Sequence, residues 1–150
     1  MINHEEKARE LFEEGYNCAQ AVFGAFVDLT GLESDSAMKL ASPFGGGIGR
    51  LREVCGAVSG MYMVLGVLYG YDDPKAKEEK SELYKKVQDL AQKFKELHGS
   101  IICREMLGEK AGHGHVPEAR TPEYYAARPC TRACMDAARL LDEFILENPL

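Results

Sequence analysis

At 150 residues, 45% hydrophobic and 28% charged, the chain fits one domain over residues 1–150 with a core that needs no staples. A formal net charge of −6 argues against nucleic acid as a partner. The start, "MINHEEKARELFEEG", lacks an apolar leader, so a cytoplasmic address is expected, where the five cysteines stay reduced.

The elements read as helical throughout, and the expected fold class is all-α. It should be a compact bundle of about five or six helices around a glycine-rich, small-residue central helix. Asn3 and Glu6 have the spacing of a capping box, and the first helix runs to Glu14, broken by Gly15. Asn17 and Gln20 repeat the pattern and start a helix that buries Ala19, Val22, Phe23, Phe26 and Leu29 before Gly31 ends it. A short helix follows over Ser34–Ala41, stopped before Pro43. The loop "FGGGIGR" then leads into a central helix expected over Ile48–Tyr69.

No residue from Val54 to Tyr71 is charged, a length at the short edge of a membrane span. Gly56 with Gly60, and Gly66 with Gly70, have the GxxxG spacing that also marks membrane helix pairs. The cysteine, the serine, the tyrosines and the four glycines of this run keep its hydrophobicity modest. A buried central helix is therefore expected rather than membrane insertion.

Asp73 as cap and Pro74 in the first turn predict the next helix. Leu83, Val87, Leu90, Phe94 and Leu97 form its stripe, with Gly99 as its stop. Ser100 is expected to cap a short helix through Leu107. Gly108–Pro129 reads as a long irregular connection, a kind of segment that is usually functional or mobile. The last helix, Cys130–Glu147, should bury Ala133, Ala137, Leu140, Leu141 and Phe144. His4 and His98 are expected to be exposed.

Placed on this map, Cys18, Cys103 and Cys130 fall in first helical turns, where unpaired N–H groups and the helix dipole favour an anion. Such thiols should ionise more readily than free ones. Cys55 is expected one or two turns into the central helix, beside Gly56, where a neighbouring element can approach. Cys130 and Cys134 are four apart on one helix, about 5–6 Å between Cβ atoms, too far for an undistorted disulfide. No C-x-x-C is present, which disfavours a thioredoxin-type dithiol and a zinc ribbon. The glycine loop could offer amides to an anion, but it completes neither a dinucleotide fingerprint nor a P-loop. His113 and His115 have the look of a metal-binding pair in a flexible loop.

"GYNCAQAV", "FGGGIGR", "EVCGAVSG", "GSIICREMLG" and "CTRACMDAARLLDE", in that order, resemble the bacterial and archaeal redox-active proteins named for their C-GCAxxG-C-C signature. A related domain accompanies an iron–sulfur centre in split-Soret cytochromes. The resemblance implies a small all-helical protein, often encoded near transporters, whose characteristic cysteines are Cys18, Cys55, Cys103 and Cys130. Cys134 is an extra. Haem is not carried over, since C-x-x-C-H is absent.

The four cysteines are then the expected catalytic, cofactor-binding and metal-binding residues, by way of an iron–sulfur cluster or of thiol–disulfide exchange with an unidentified redox partner. Both versions stay open at this point. One alternative is a helical interaction module with inert core cysteines, in which the Leu83–Leu97 stripe and the GxxxG helix pair with a partner or with a second copy as a homodimer. Another is structural zinc, with His113 or His115 completing three thiols.

Overall fold

Side-chain caps fix where the helices of this fold begin. In the structure, a computed structural model that describes residues 2–150, Asn3 accepts a hydrogen bond from the Glu6 N–H at 3.0 Å. It starts α1 (His4–Glu14), and Gly15 closes it at φ +115°. Asn17 and Gln20 form a full capping box, with bonds of 2.9 and 3.0 Å, at the head of α2 (Cys18–Ala25). The helix expected to run on to Gly31 instead breaks at Phe26. A separate turn, α3 (Val27–Thr30), follows, and Leu29 on it is 38% exposed rather than buried. Then come α4 (Ser34–Ala41), α5 (Gly56–Tyr69), α6 (Lys77–His98), α7 (Cys103–Leu107), α8 (Pro122–Ala127) and α9 (Cys130–Glu147).

Among the described residues the chain is all-α, and six of these helices reach eight residues or more. α1 packs on α2 and α9, α2 packs on α5 and α4, and α6 leans on α5 and α9. Phe12, Val22, Phe23, Phe26, Val58, Met61, Leu65, Leu90, Phe94 and Leu141 are fully buried where these helices meet. Each such side chain contributes about 1.5–3 kcal/mol relative to exposure. The apolar face expected of α9 is buried throughout.

The first two turns of α5 are buried, as a central helix requires. A Cβ at Gly60 would stand 2.8 Å from the Ala19 carbonyl, and one at Gly56 would stand 3.0 Å from Cys18 Cβ. Only glycine lets α2 and α5 approach this closely. The Gly66–Gly70 pair has no such role: a Cβ at Gly66 would meet nothing within 4 Å. No helix is long and apolar enough to cross a membrane among the described residues.

Several expectations need correction. α6 begins at Lys77, not behind Asp73, because the Asp73 carboxylate accepts from the Lys75 N–H at 2.9 Å in a local turn that competes with capping. On its stripe Leu90 and Phe94 are buried and Leu83 and Val87 pack against the core, but Leu97 is 49% exposed. The stripe is thus largely used inside its own fold. Ser100 precedes α7 without capping it; its hydroxyl accepts from the Ile102 N–H and donates to Glu105. The connection read as irregular contains α8, where Thr121 caps the Tyr124 N–H and Pro122 is the first helical residue, a signal visible in "TPE".

Neither histidine is exposed as expected: His4 is buried, and His98 is half-buried with its side chain only 8% exposed. His4 lies between Asp142 at 2.7 Å and Asp28 at 2.9 Å, its ring stacked on Phe26. His98 bonds Asp136 at 2.9 Å and stacks on Phe94. Burial of an imidazole is tolerable when its nitrogens are bonded, and these partners lie far away in the chain.

Candidate functional site

The chain between α4 and α5 builds the floor of the site. After a 3₁₀ turn (Ser42–Phe44), residues Gly46, Gly47, Ile48, Gly49 and Arg50 have positive φ in succession, from +56° to +69°, and Arg52 follows at +60°. This is a left-handed turn, so the central helix does not start at Ile48 as expected; its first residue is Gly56. Left-handed backbone costs roughly 1–2 kcal/mol at each non-glycine residue, here Ile48, Arg50 and Arg52. A β-branched residue there is a genuine outlier. Strain of this kind persists only where surrounding structure holds it, and it gathers at functional sites.

The delayed start moves Cys55 from the interior of a helix to its N-cap. A short antiparallel bridge, Val54 to Ile102, fixes it there. Cys55 N–H donates to the Ile101 carbonyl at 2.8 Å and Cys103 N–H to the Glu53 carbonyl at 2.6 Å, so two distant cysteines are tied by neighbouring backbone bonds. Gly47 lies against them: a Cβ there would stand 2.6 Å from Cys103 Cβ and 2.8 Å from Arg52 Cα. Cys18, Cys103 and Cys130 are each the first residue of their helices.

Cys18, Cys55, Cys103 and Cys130 line one cavity of about 60 Å³. A single buried water needs roughly 10–15 Å³ on this measure, so the space suits a group of several heavy atoms better than one ion. Cys134 is fully buried and off the cavity wall; its thiol faces the Cys18 carbonyl at 3.9 Å. All five cysteines are free thiols. His113 and His115 are exposed and do not line this cavity. They are not placed to complete a zinc site with three thiols. Among the described residues no three His, Cys, Asp or Glu side chains converge closely enough, as they stand, to hold one ion.

Three arginines complete the wall, and sequence reading missed them. Arg52, 6% exposed, points Nη1 at Cys103 Sγ at 3.7 Å and donates from Nε to the Gly112 carbonyl. Arg120 reaches back from the loop to the Phe12 and Tyr16 carbonyls, both at 2.8 Å, with its guanidinium over the Phe12 ring. Arg128 lies over the Tyr124 ring. No periodicity marks these residues; the one available signal was a pair of arginines flanking "TPEYYAA".

The thiols are not the readily ionised groups that their helix-start positions suggested. Burial pushes Cys55 up to about 12, against the N–H groups of Ala57 and Val58, which favour its thiolate. Burial also raises Cys103, opposed by Arg52. Cys18 and Cys130 share a hydrogen bond that raises Cys130, with burial adding to it. The same bond favours thiolate at Cys18, but its contact with Cys134 and its burial outweigh this, and Cys18 stands well above an ordinary thiol. Desolvation beats the dipole here. The resting site is therefore a set of neutral thiols facing guanidinium and amide donors that would suit thiolates.

A search of curated proteins and a search of solved structures each returned no match. The order and context of the cavity cysteines are nonetheless those of a described family. Residues 16–144, which include all four, match the family "Putative redox-active protein (C_GCAxxG_C_C)", and the chain belongs to it.

Proposed function

We propose that the protein is an electron carrier in which Cys18, Cys55, Cys103 and Cys130 hold an iron–sulfur cluster. The observation that carries this reading is the shared cavity: four thiols from four helix starts line one space sized for several heavy atoms. Clusters of this kind are held by cysteine thiolates, which bind different irons, so the sulfurs need not converge on one point as a zinc site demands. Such a group supplies one-electron transfer when bound.

The chain's own residues favour that ligand set once protons leave the sulfurs. Metal coordination deprotonates a thiol outright, and the resulting charge at Cys55 would meet the Ala57 and Val58 amides. At Cys103 it would meet Arg52, whose Nη2 is buried with no hydrogen-bond partner. Aromatic and aliphatic walls from Phe12, Tyr124, Met106 and Leu107 limit water. Electrons would pass to or from a separate redox partner.

Thiol–disulfide exchange is the second reading, favoured by the hydrogen-bonded Cys18–Cys130 pair. It is the weaker one. Exchange needs a thiolate, and both thiols of the pair stand above an ordinary thiol, Cys130 through its bond to Cys18 with burial adding to it, and Cys18 through its contact with Cys134 and its burial.

Oxygen-free purification followed by reconstitution with ferrous iron and sulfide separates the two. The cluster reading expects iron and acid-labile sulfide bound to the chain, with a visible charge-transfer spectrum that bleaches on reduction. A colourless, iron-free protein that cycles instead between thiol and disulfide would overturn it.

A further inference from the structure

A second cavity, of about 250 Å³, shares the Arg52, Arg120 and Arg128 wall with the cysteine cavity and adds Arg50. Four guanidiniums line it against one carboxylate, Glu118. Arg50, Arg52 and Arg128 have side chains only 11%, 7% and 8% exposed. Buried charge is costly unless it is paired, yet this pocket carries an excess of three positive charges in a chain of net charge −6.

One oxygen, Glu118 Oε1, sits where three guanidiniums converge. It lies 2.5 Å from Arg50 Nη2, 3.3 Å from Arg128 Nη2 and 3.6 Å from Arg52 Nη2. Even so, Arg50 Nε and Arg52 Nη2 remain buried without a hydrogen-bond partner. The planar fork of arginine matches carboxylate and phosphate oxygens. Backbone carbonyls of Gly112, His113, Gly114 and Lys110 take other donors of Arg50, Arg52 and Arg128, so the two orphaned nitrogens are capacity that neither the backbone nor Glu118 fills.

We propose that this arginine pocket binds a small oxyanion, either a carboxylate or a tetrahedral phosphate- or sulfate-like group, and that Glu118 is a built-in stand-in which the ligand displaces. The inference rests on the pocket's charge and geometry and does not depend on what the cysteines hold. The shared arginine wall would bring an anionic ligand beside the thiols, as a substrate or effector of their chemistry.

The test titrates the reduced, metal-free, full-length chain with sodium phosphate, sodium sulfate and sodium acetate by calorimetry, with ionic strength held constant by sodium chloride. One saturable site per chain is expected for at least one oxyanion. Preference for phosphate or sulfate identifies a tetrahedral ligand, and preference for acetate a carboxylate. Arg50 donates directly to the carboxylate that the ligand would replace, so Arg50→Gln should weaken binding roughly tenfold or more. Glu118→Gln, which removes the competing anion, should tighten it by a similar factor, a gain that misfolding cannot imitate. Because the titrated chain carries no metal, the result does not depend on what the cysteines hold, and the cluster reading can fail without this one. No saturable binding in wild type or Glu118→Gln, or a Glu118→Gln chain that binds no tighter than wild type, overturns the proposal.

Discussion

Raising the pH of the metal-free protein should unfold it through Cys55. Burial moves this thiol from 9.0 up to about 12, so between those values the folded chain keeps a proton that the unfolded chain has released. An acid whose folded pKa is raised loses stability as pH climbs past its unfolded value. At about 1.4 kcal/mol per pKa unit, the loss from this group is about 2 kcal/mol at pH 10.5 and grows to about 4 kcal/mol near pH 12. Serine cannot ionise in this range. Urea denaturation of reduced, metal-free wild type and Cys55→Ser, at pH 8 and at pH 10.5, isolates the effect. Tyr62, Tyr69 and Tyr124, also raised by burial, are common to both proteins and cancel in the difference. The stability gap between the two should move by about 2 kcal/mol in favour of the variant at the higher pH. An unchanged gap would refute the burial argument for the site.

Gly47→Ala should destabilise the fold by about 3 kcal/mol or more, since it adds a backbone clash beside Cys103 and Arg52 at φ +69° to left-handed strain; thermal melts read it, and a melt within a degree of wild type would contradict the packing. His4 gives a pH effect at neutrality. Burial lowers its pKa, but the bonds to Asp142 and Asp28 win and raise it above 6.5. Its ion-pair stabilisation is therefore complete below about pH 6.5 and fades as pH rises through the folded value. The advantage of wild type over His4→Gln in denaturation should be larger at pH 6 than at pH 9, and the reverse order would remove His4 from this role.

What could be read in the chain was whatever short-range chemistry decides. Asn3, the Asn17–Gln20 box, Gly15, Gly31 and Gly99 mark real helix ends, because caps act within four residues. The same locality makes the helix-start positions of Cys18, Cys103 and Cys130 legible. The start of α5 lies outside that reach, because an apolar run contains no sign of left-handed backbone, and Ile48, Arg50 and Arg52 are residue types that rarely adopt it. The histidine pairings and the arginine wall were illegible for a different reason. Asp28, Asp136 and Asp142 approach His4 and His98 only through packing, and Arg120 and Arg128 come from a connection without a period.

The central claim, that four sulfurs work as one site while the fifth is a packing residue, meets its most direct test in iron retention. Cys18→Ser, Cys55→Ser, Cys103→Ser, Cys130→Ser and Cys134→Ser would each be reconstituted without oxygen and assayed for bound iron per folded chain. The account predicts that each of the first four loses most of its iron and that Cys134→Ser keeps the wild-type amount. Full retention by any of those four, or a loss in Cys134→Ser equal to theirs, would contradict it.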